Sequence, residues 1–349
     1  MKTLTKSLSA SLAAATFALV TPVAADTYVV AVGAASNSLQ GKSAARFAEQ
    51  LQEQLGDAHT VEFYADAQLG NEKELMQKLR LGTVDFTLIS SIMTNVAPEF
   101  ALFDMPFLVQ DRAHLKAIDA EIVQPDLAPL ARKVGLEVLS TWENGFRQIT
   151  NNARPINTPS DLDGLKIRTP SSEWRVSMFK EWGANPTPMS FSEVFVALQT
   201  GTMDGQENPL TNIVGANFQE VQGYLSLTGH VYSPTYLTTG AETWSKLPDE
   251  VKTAATEVAA SVQDWSLDQG ETADGELVEK VRAAGVEVNE ADKAAFIEAS
   301  APIYAAFSSQ VPGATRSSRA RKNWPSKRSF APVGMGWPGP LRTGDRHGR

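Results

Sequence analysis

Residues 144–209 read NGFRQITNNARPINTPSDLDGLKIRTPSSEWRVSMFKEWGANPTPMSFSEVFVALQTGTMDGQENP. Arg147 lies in a strand-like run, Arg168 ends a second run at residues 165–168, and Asn208 follows a turn rich in Gly and Glu. No residue of this stretch resembles a nucleophile or belongs to a metal cluster. Guanidinium groups held beside apolar strands, without reactive partners, indicate capture of a small carboxylate rather than its conversion.

The stretch before this block predicts alternating strands and helices. Strands are expected at residues 28–33, 61–64 and 84–89, and helices at residues 40–55 and 71–81. A β-α-β-α-β order is typical of parallel strands with helices on both faces of the sheet. The sequence therefore predicts an α/β fold.

Two further features predict two lobes. Residues 136–142 and 147–150 form successive strands without an intervening helix, as expected of strands that cross between lobes. Residues 248–284 form a helical pattern well beyond ~25 residues, which favours a helix lying across both lobes. A coiled coil is the alternative, but the apolar residues do not keep a strict heptad. A further helix is expected at residues 291–307.

We therefore expect a two-lobed α/β fold in which each lobe is a mixed sheet flanked by helices. Hinge strands join the lobes and the long helix braces them. Lobe I is predicted to contain residues 26–144 and 234–275, and lobe II residues 145–233 and 276–313. Residues 314–349 are expected to form a basic, disordered tail.

The amino terminus predicts export. Lys2 and Lys6 precede an apolar stretch at residues 8–20, and small residues suggest cleavage near Ala25-Asp26. A membrane anchor is the alternative, but this apolar stretch is shorter than the ~20 residues that span a bilayer. Without cysteine the chain has no disulfides and no thiol chemistry. These features predict a signal peptide over residues 1–25 and a periplasmic protein.

Charge is distributed unevenly along the chain. The net charge is −9, yet residues 316–349 hold nine Lys or Arg and one acidic residue, a net of +8. Lys2 and Lys6 add +2, so residues 26–315 carry −19. Such an acidic body repels nucleic acid, so no nucleic-acid partner is expected. Any anion site must be built locally from arginines. The abrupt change near Ala314 suggests a frameshift or gene-prediction error, and a basic binding arm is the other interpretation.

Catalytic signatures are missing from the sequence. Its four histidines show no metal-ligand spacing, and HExxH, GxSxG, P-loop and GxGxxG motifs are absent. Paired carboxylates such as Asp161 and Asp163 are interpreted as turn residues. We therefore expect no enzyme activity, no metal and no cofactor.

Each candidate binding residue also has a structural interpretation. Arg168 is expected at the carboxyl edge of a sheet, where ligands bind in open α/β folds, but an interdomain salt bridge fits equally well. Arg147 alone is more often structural, and Asn208 beside Pro209 is by default a turn former. Glu72 can simply be a carboxylate at a helix start. The residues alone leave these alternatives open.

The chain resembles the solute-binding subunits of tripartite ATP-independent periplasmic (TRAP) transporters, of the dicarboxylate-binding-protein type. The resemblance runs to about Gly313, and its most specific motifs are NGFRQITN, DLDGLKIRTP, GANPTPMSFSEVFVALQTG and DGQENP, with QLGNEKELMQKLRLGTVDF upstream. It implies that Arg168 holds the ligand carboxylate in a two-oxygen salt bridge. It further implies contacts from Arg147 and Asn208, packing by Phe191, and ligand-dependent contacts from Glu72, Ser90 and Trp174.

The resemblance implies capture of a small organic acid by lobe closure and delivery to the small and large TRAP membrane subunits. C4-dicarboxylates, sugar acids, and hydroxy or keto acids all fit an arginine-anchored cleft. Glu72, if it faces the cleft, disfavours a second carboxylate and favours a polyhydroxylated monocarboxylate. A ligand-sensing protein for a membrane receptor and a secreted hydrolase acting on acidic sugars remain alternatives.

Overall fold

The computed structural model describes residues 26–311. The expected signal peptide, residues 1–25, and the basic tail, residues 314–349, lie outside the described residues. The strands are β1 (Thr27–Ala31), β2 (Thr60–Tyr64), β3 (Phe86–Ile89), β4 (Leu136–Asn151), β5 (Lys166–Thr169), β6 (Asn185–Pro188), β7 (Gly205–Pro209), β8 (Tyr224–Leu227), β9 (Tyr232–Gly240) and β10 (Glu287–Glu290).

The helices alternate with these strands. They are α1 (Leu39–Leu55), α2 (Glu72–Leu81), α3 (Arg112–Ile118), α4 (Ala128–Lys133), α5 (Glu173–Glu181), α6 (Val194–Gln199), α7 (Leu210–Gly215), α8 (Ala241–Lys246), α9 (Asp249–Ala283), α10 (Lys293–Ala299) and α11 (Ala301–Gln310). A π-helical segment, Asp119–Leu127, joins α3 to α4. The strands and helices predicted upstream of residue 90 are confirmed to within about two residues.

The first lobe is built on the strand order β2-β1-β3-β9-β4. Strands β1, β2 and β3 are parallel, whereas β9 runs antiparallel to both β3 and β4. Phe47 of α1 packs on Phe86 and Trp142, with ring centroids 5.3 and 5.8 Å apart. The amphipathic face of α1 that the sequence predicts thus covers one side of this mixed sheet.

The second lobe is built on the order β6-β5-β7-β4-β8-β10. Strand β5 is parallel to β6 and β7, while β7 and β8 are antiparallel to β4. Apolar residues of α6 and α7 pack with Phe218 and Leu225 in the core of this lobe. The fold therefore has the predicted architecture of two mixed sheets flanked by helices.

Two elements belong to both lobes. Strand β4 pairs with β9 as far as Phe146, and from Arg147 onward it pairs with β7 and β8. Helix α9 contributes Val251 and Val258 to the core of the first lobe, and Val278 and Val281 to that of the second. The predicted crossing strands are thus one continuous strand, and the predicted bracing helix is confirmed.

The structure differs from the expectations drawn from the sequence in two places. Asn208, expected to follow a turn rich in Gly and Glu, lies in the buried strand β7 between β4 and β5. The single helix expected at residues 291–307 is two helices, α10 and α11, which follow strand β10. The second helix begins with Pro302 in its first turn, because proline lacks the N–H that a continuous helix would need there. Among residues 26–311, no helix combines the length and apolar character needed to cross a bilayer.

Candidate functional site

A cavity of about 390 Å³ lies between the two lobes. The first lobe contributes α2 and the residues that follow β3, and the second contributes the ends of β5 and β7 and residues 189–192. This volume lies in the range of small-molecule sites, ~300–1,000 Å³. Most of the residues that line it are polar or charged, which suits a small hydrophilic ligand.

Arg168 faces this cavity from the carboxyl end of β5. Its Nε and Nη2 donate to the carbonyl oxygen of Met189 at 3.0 and 2.6 Å, and the residue is 3% exposed. Within residues 26–311 it forms no ion pair, so the interdomain salt bridge considered above is not present there. Burial, and then the nearby Arg147, lower the pKa of Arg168 to about 9. An incoming carboxylate would relieve this unfavourable burial of charge.

Arg147, by contrast, already has an acidic partner. Its Nε and Nη2 donate to the carboxylate of Glu207, and Nη2 also donates to Asn208 Oδ1 at 3.1 Å. Burial would raise the pKa of Glu207, but Arg147 and Arg175 outweigh it and hold that pKa well below its usual range. Arg147 therefore lines the cavity as half of a buried ion pair.

The buried charges continue away from the cavity into a network that the sequence did not reveal. Arg175 Nη1 donates to Glu207 Oε2 at 2.8 Å, and its Nη2 donates to Asp104 Oδ1 at 2.6 Å. His230 lies 3.2 Å from Glu207, and burial lowers its pKa to about 4, so the imidazole is neutral near pH 7. These residues come from distant segments, and nothing in the local pattern distinguishes them.

Asn208 lies in β7, not in a turn. It accepts from Arg147, and its Nδ2 donates to Gln206 Oε1 at 2.6 Å. The side chain also lines the cavity while only 3% exposed. Hydrogen bonds to both its oxygen and its nitrogen hold the Asn208 amide in one orientation at the cavity wall.

Glu72 and Ser90 line the opposite wall, on the first lobe. Glu72 is the first residue of α2 and accepts the backbone N–H of Ser90. Burial raises the pKa of Glu72 to about 6, against the opposing effects of that hydrogen bond, Arg168 and Arg147. Ser90 Oγ donates to the carbonyl of Pro234 at 2.7 Å and accepts from Asn144 Nδ2 at 3.1 Å.

Phe191 and Trp174, the two aromatic residues expected to contact the ligand, differ in their position relative to the cavity. Phe191 lines the cavity and packs on Phe218, with ring centroids 5.6 Å apart. Trp174 was expected to contact the ligand, but it is not among the residues that line the cavity. It shares a face of α5 with Met178 and packs edge-on against Phe307 at 5.3 Å. The helical period directs it into the core instead of the cleft.

The chain was compared with known proteins. The model of the family described as bacterial extracellular solute-binding protein, family 7, matches residues 30–310. A solute-binding protein of Verminephrobacter eiseniae is 39% identical over 83% of this chain and 87% of its own length.

Two solved structures of TRAP periplasmic solute-binding proteins are also similar. One, from Bordetella bronchiseptica with density interpreted as pantoate, has a TM-score of 0.81 and 35% identity, and covers 85% of this chain and 98% of its own. The other, from Sulfurospirillum deleyianum with bound succinate, has a TM-score of 0.81 and 30% identity, and covers 86% of this chain and 99% of its own.

An interlobe cavity with an arginine at a strand end defines a binding protein for small acids, and the chain belongs to the family of bacterial extracellular solute-binding proteins. Within that family it is a TRAP transporter solute-binding protein, as the resemblance implied. Among residues 26–311, no group of three or more His, Cys, Asp or Glu side chains could hold a metal ion.

Proposed function

We propose that the chain is a periplasmic binding protein whose ligand is a small hydroxylated monocarboxylate, held by its carboxylate on Arg168. The observation that carries this is the buried Arg168 guanidinium, which faces the cavity without an ionic partner among the described residues. Two charge-assisted hydrogen bonds would contribute ~1.5–3 kcal/mol each. Contacts from Asn208, Arg147 and Phe191 supply the remainder of a micromolar affinity, which needs ~8 kcal/mol.

Glu72 favours hydroxyl groups on the rest of the ligand. Of the residues that line the cavity, Glu72 carries the one carboxylate, and it lies on the lobe opposite Arg168. A second ligand carboxylate placed there would meet like charge, whereas a hydroxyl can donate to Glu72. The pantoate assigned in the Bordetella structure is a hydroxylated monocarboxylate, while the succinate in the Sulfurospirillum structure is the competing class.

We propose that the protein binds and delivers its ligand without converting it chemically. A glycoside hydrolase needs two carboxylates across the scissile bond, and the lining contributes Glu72 alone. Both lobes contact the ligand, so binding favours the closed form. The closed protein then docks on the small and large TRAP membrane subunits, after export guided by the amino-terminal signal.

A thermal-shift screen tests this proposal. The purified full-length protein is heated with sugar acids, hydroxy acids, keto acids and C4-dicarboxylates, each in excess. A ligand at 100 times its dissociation constant stabilises by ~2.7 kcal/mol, which is a shift of several degrees. A shift with hydroxylated monocarboxylates supports the proposal. A shift confined to dicarboxylates, or to uncharged sugars, would contradict the assigned ligand class.

A further inference from the structure

The pairing of β4, the strand that crosses between the lobes, with β9 is irregular at two positions, and the second lies beside the cavity. In the pairing of β4 with β9, Glu143 is opposite Pro234 and Gly145 is opposite Ser233, so Asn144 is an extra residue, a β-bulge. Gly145 has φ +124°, in the left-handed region that favours glycine. The bulge therefore marks a place where the strand can bend.

Adjacent residues at this bulge face opposite sides. Asn144 lines the cavity, donates to Ser90 Oγ, and accepts from Asn212 Nδ2 at 2.9 Å. Glu143 faces helix α9, where its backbone N–H donates to Ser266 Oγ at 3.1 Å. One short segment of backbone thus contacts the ligand cavity on one side and the bracing helix on the other.

The Glu143 carboxylate is buried at the centre of a charged cluster. Arg112 donates to Oε1 through Nη2 and Nε at 2.8 and 3.2 Å, and Tyr232 donates its hydroxyl to Oε2. Arg112 also donates to Asp274 of α9 at 3.2 Å. The cluster therefore ties the crossing strand β4 and its neighbour β9 to the long helix.

A glycine in the helix makes room for this carboxylate. A Cβ added at Gly270 would lie 2.5 Å from Glu143 Cγ and Oε1, closer than such atoms approach. Glycine inside a helix is less favourable than alanine, yet Gly270 is in the interior of a 35-residue helix. This close approach lets Glu143 lie directly on the helix backbone.

We infer that Glu143, seated on Gly270 of α9 and held by Arg112, is a positioning residue that sets the angle between the lobes. The contact fixes the bend of β4 relative to the helix that braces both lobes. In this structure the lobe rims also touch, since Asn95 Nδ2 donates to the carbonyl of Ser171 at 2.8 Å. Disturbing the Glu143–Gly270 contact destabilises that closed arrangement without altering the cavity wall. The effect of this disturbance on ligand affinity rests on the proposed function.

The test uses the distance between the lobes. The chain contains no cysteine, so Glu53→Cys on α1 and Lys180→Cys on α5, both exposed, accept one spin label each. Electron-electron resonance then measures the separation of the labels with and without ligand. Gly270→Ala should lengthen the mean separation in the unliganded protein and lower ligand affinity by ~10-fold, the size of a core overpacking effect.

A double-mutant cycle identifies the contact responsible. In a Glu143→Ala background the added methyl has space, so Gly270→Ala should then leave the separation unchanged. Gly275→Ala, at a half-buried position of the same helix, controls for helix propensity and should leave the separation unchanged. An unaltered separation in Gly270→Ala, or the same lengthening with and without Glu143, would overturn the inference. The unliganded measurement tests it even if no organic acid binds the parent protein.

Discussion

Arg168 donates through both Nε and Nη2 to the carbonyl oxygen of Met189, at 3.0 and 2.6 Å, instead of to a carboxylate. A neutral carbonyl orients the guanidinium without neutralising its charge. Arg147 lines the same cavity and is paired with the carboxylate of Glu207. The two arginines therefore differ: among the described residues Arg147 is paired with a carboxylate, whereas Arg168 is hydrogen-bonded to a neutral carbonyl.

Replacing Arg168 should remove carboxylate binding. We expect Arg168→Ala to weaken affinity by about 100-fold or more, since two charge-assisted hydrogen bonds are lost. Arg168→Lys should also bind more weakly than the parent, because one ammonium cannot present two parallel donors. Isothermal titration calorimetry measures both. Arg154→Ala is the matched control, because Arg154 is exposed and donates only to backbone carbonyls of residues 161 and 163. Unchanged affinity in Arg168→Ala would refute the assignment.

Glu207 should matter mainly for stability. Glu207→Ala leaves Arg147 and Arg175 buried without their shared partner, and breaking a buried pair in this way costs ~3–5 kcal/mol. Because the folded-state pKa is depressed, its contribution is present above the unfolded value near 4.5 and is lost as pH falls. Urea unfolding measures the loss.

The matched control is Glu242→Ala, which breaks the exposed pair with Lys246 and should have little measurable effect on unfolding. Equal effects of the two substitutions would show that burial of the Glu207 network contributes nothing to the stability of the fold.

Ligand selectivity should change with pH through Glu72. Its folded-state pKa of about 6 is raised, so the carboxyl is neutral below that pH and charged above it. We expect the preference for a hydroxylated monocarboxylate over succinate to be greatest near pH 7.5 and to shrink toward pH 5.5. The same shift means that Glu72 favours folding most below pH 4.5 and loses this as pH rises through 6.

Calorimetry with both ligands at several pH values measures this selectivity. Glu72→Gln carries no charge, so its selectivity should be low and independent of pH. A parent-like pH dependence in that variant would assign the titration to another group.

The contact between the lobe rims should slow ligand release. Asn95→Ala removes one hydrogen bond between the lobes, worth ~0.5–1.5 kcal/mol, so dissociation should accelerate about 2- to 10-fold with little change in association. Stopped-flow fluorescence resolves the two rates. Asn185→Ala removes a similar exposed bond, to Gly164 at 3.0 Å within one lobe, and should leave both rates unchanged. Equal rates for the two variants would show that the rim contact does not gate release.

Local patterns predicted the elements upstream of residue 90 and the long helix, because apolar periodicity and caps act over a few residues. Ser190 and Glu193, for example, form a local capping box. Strand β7 was missed, because its sequence, GQENP, is polar and contains a proline, which are features of turns. It is buried because neighbouring arginines and amides satisfy those polar groups, and no local pattern records such partners.

The sequence predicted only part of the site, because local patterns do not show which side chains from distant segments meet. Arg168, Arg147, Asn208, Phe191, Glu72 and Ser90 all line the cavity, whereas Trp174 does not. Their roles in binding remain predictions. Arg175, Asp104 and His230 were not anticipated, since they meet Glu207 only after the chain has folded back on itself.

By itself the sequence determined that two α/β lobes form, which elements cross between them, and that positively charged groups end up beside strand ends. These conclusions follow from the periodicity of apolar residues, from turn-forming residues and from sequence motifs, which are properties of residues close together in the chain. Only the tertiary structure decided which arginine, among the described residues, is left without a carboxylate partner. That depends on where carboxylates from distant segments come to lie, and on the pKa that burial imposes once they are there.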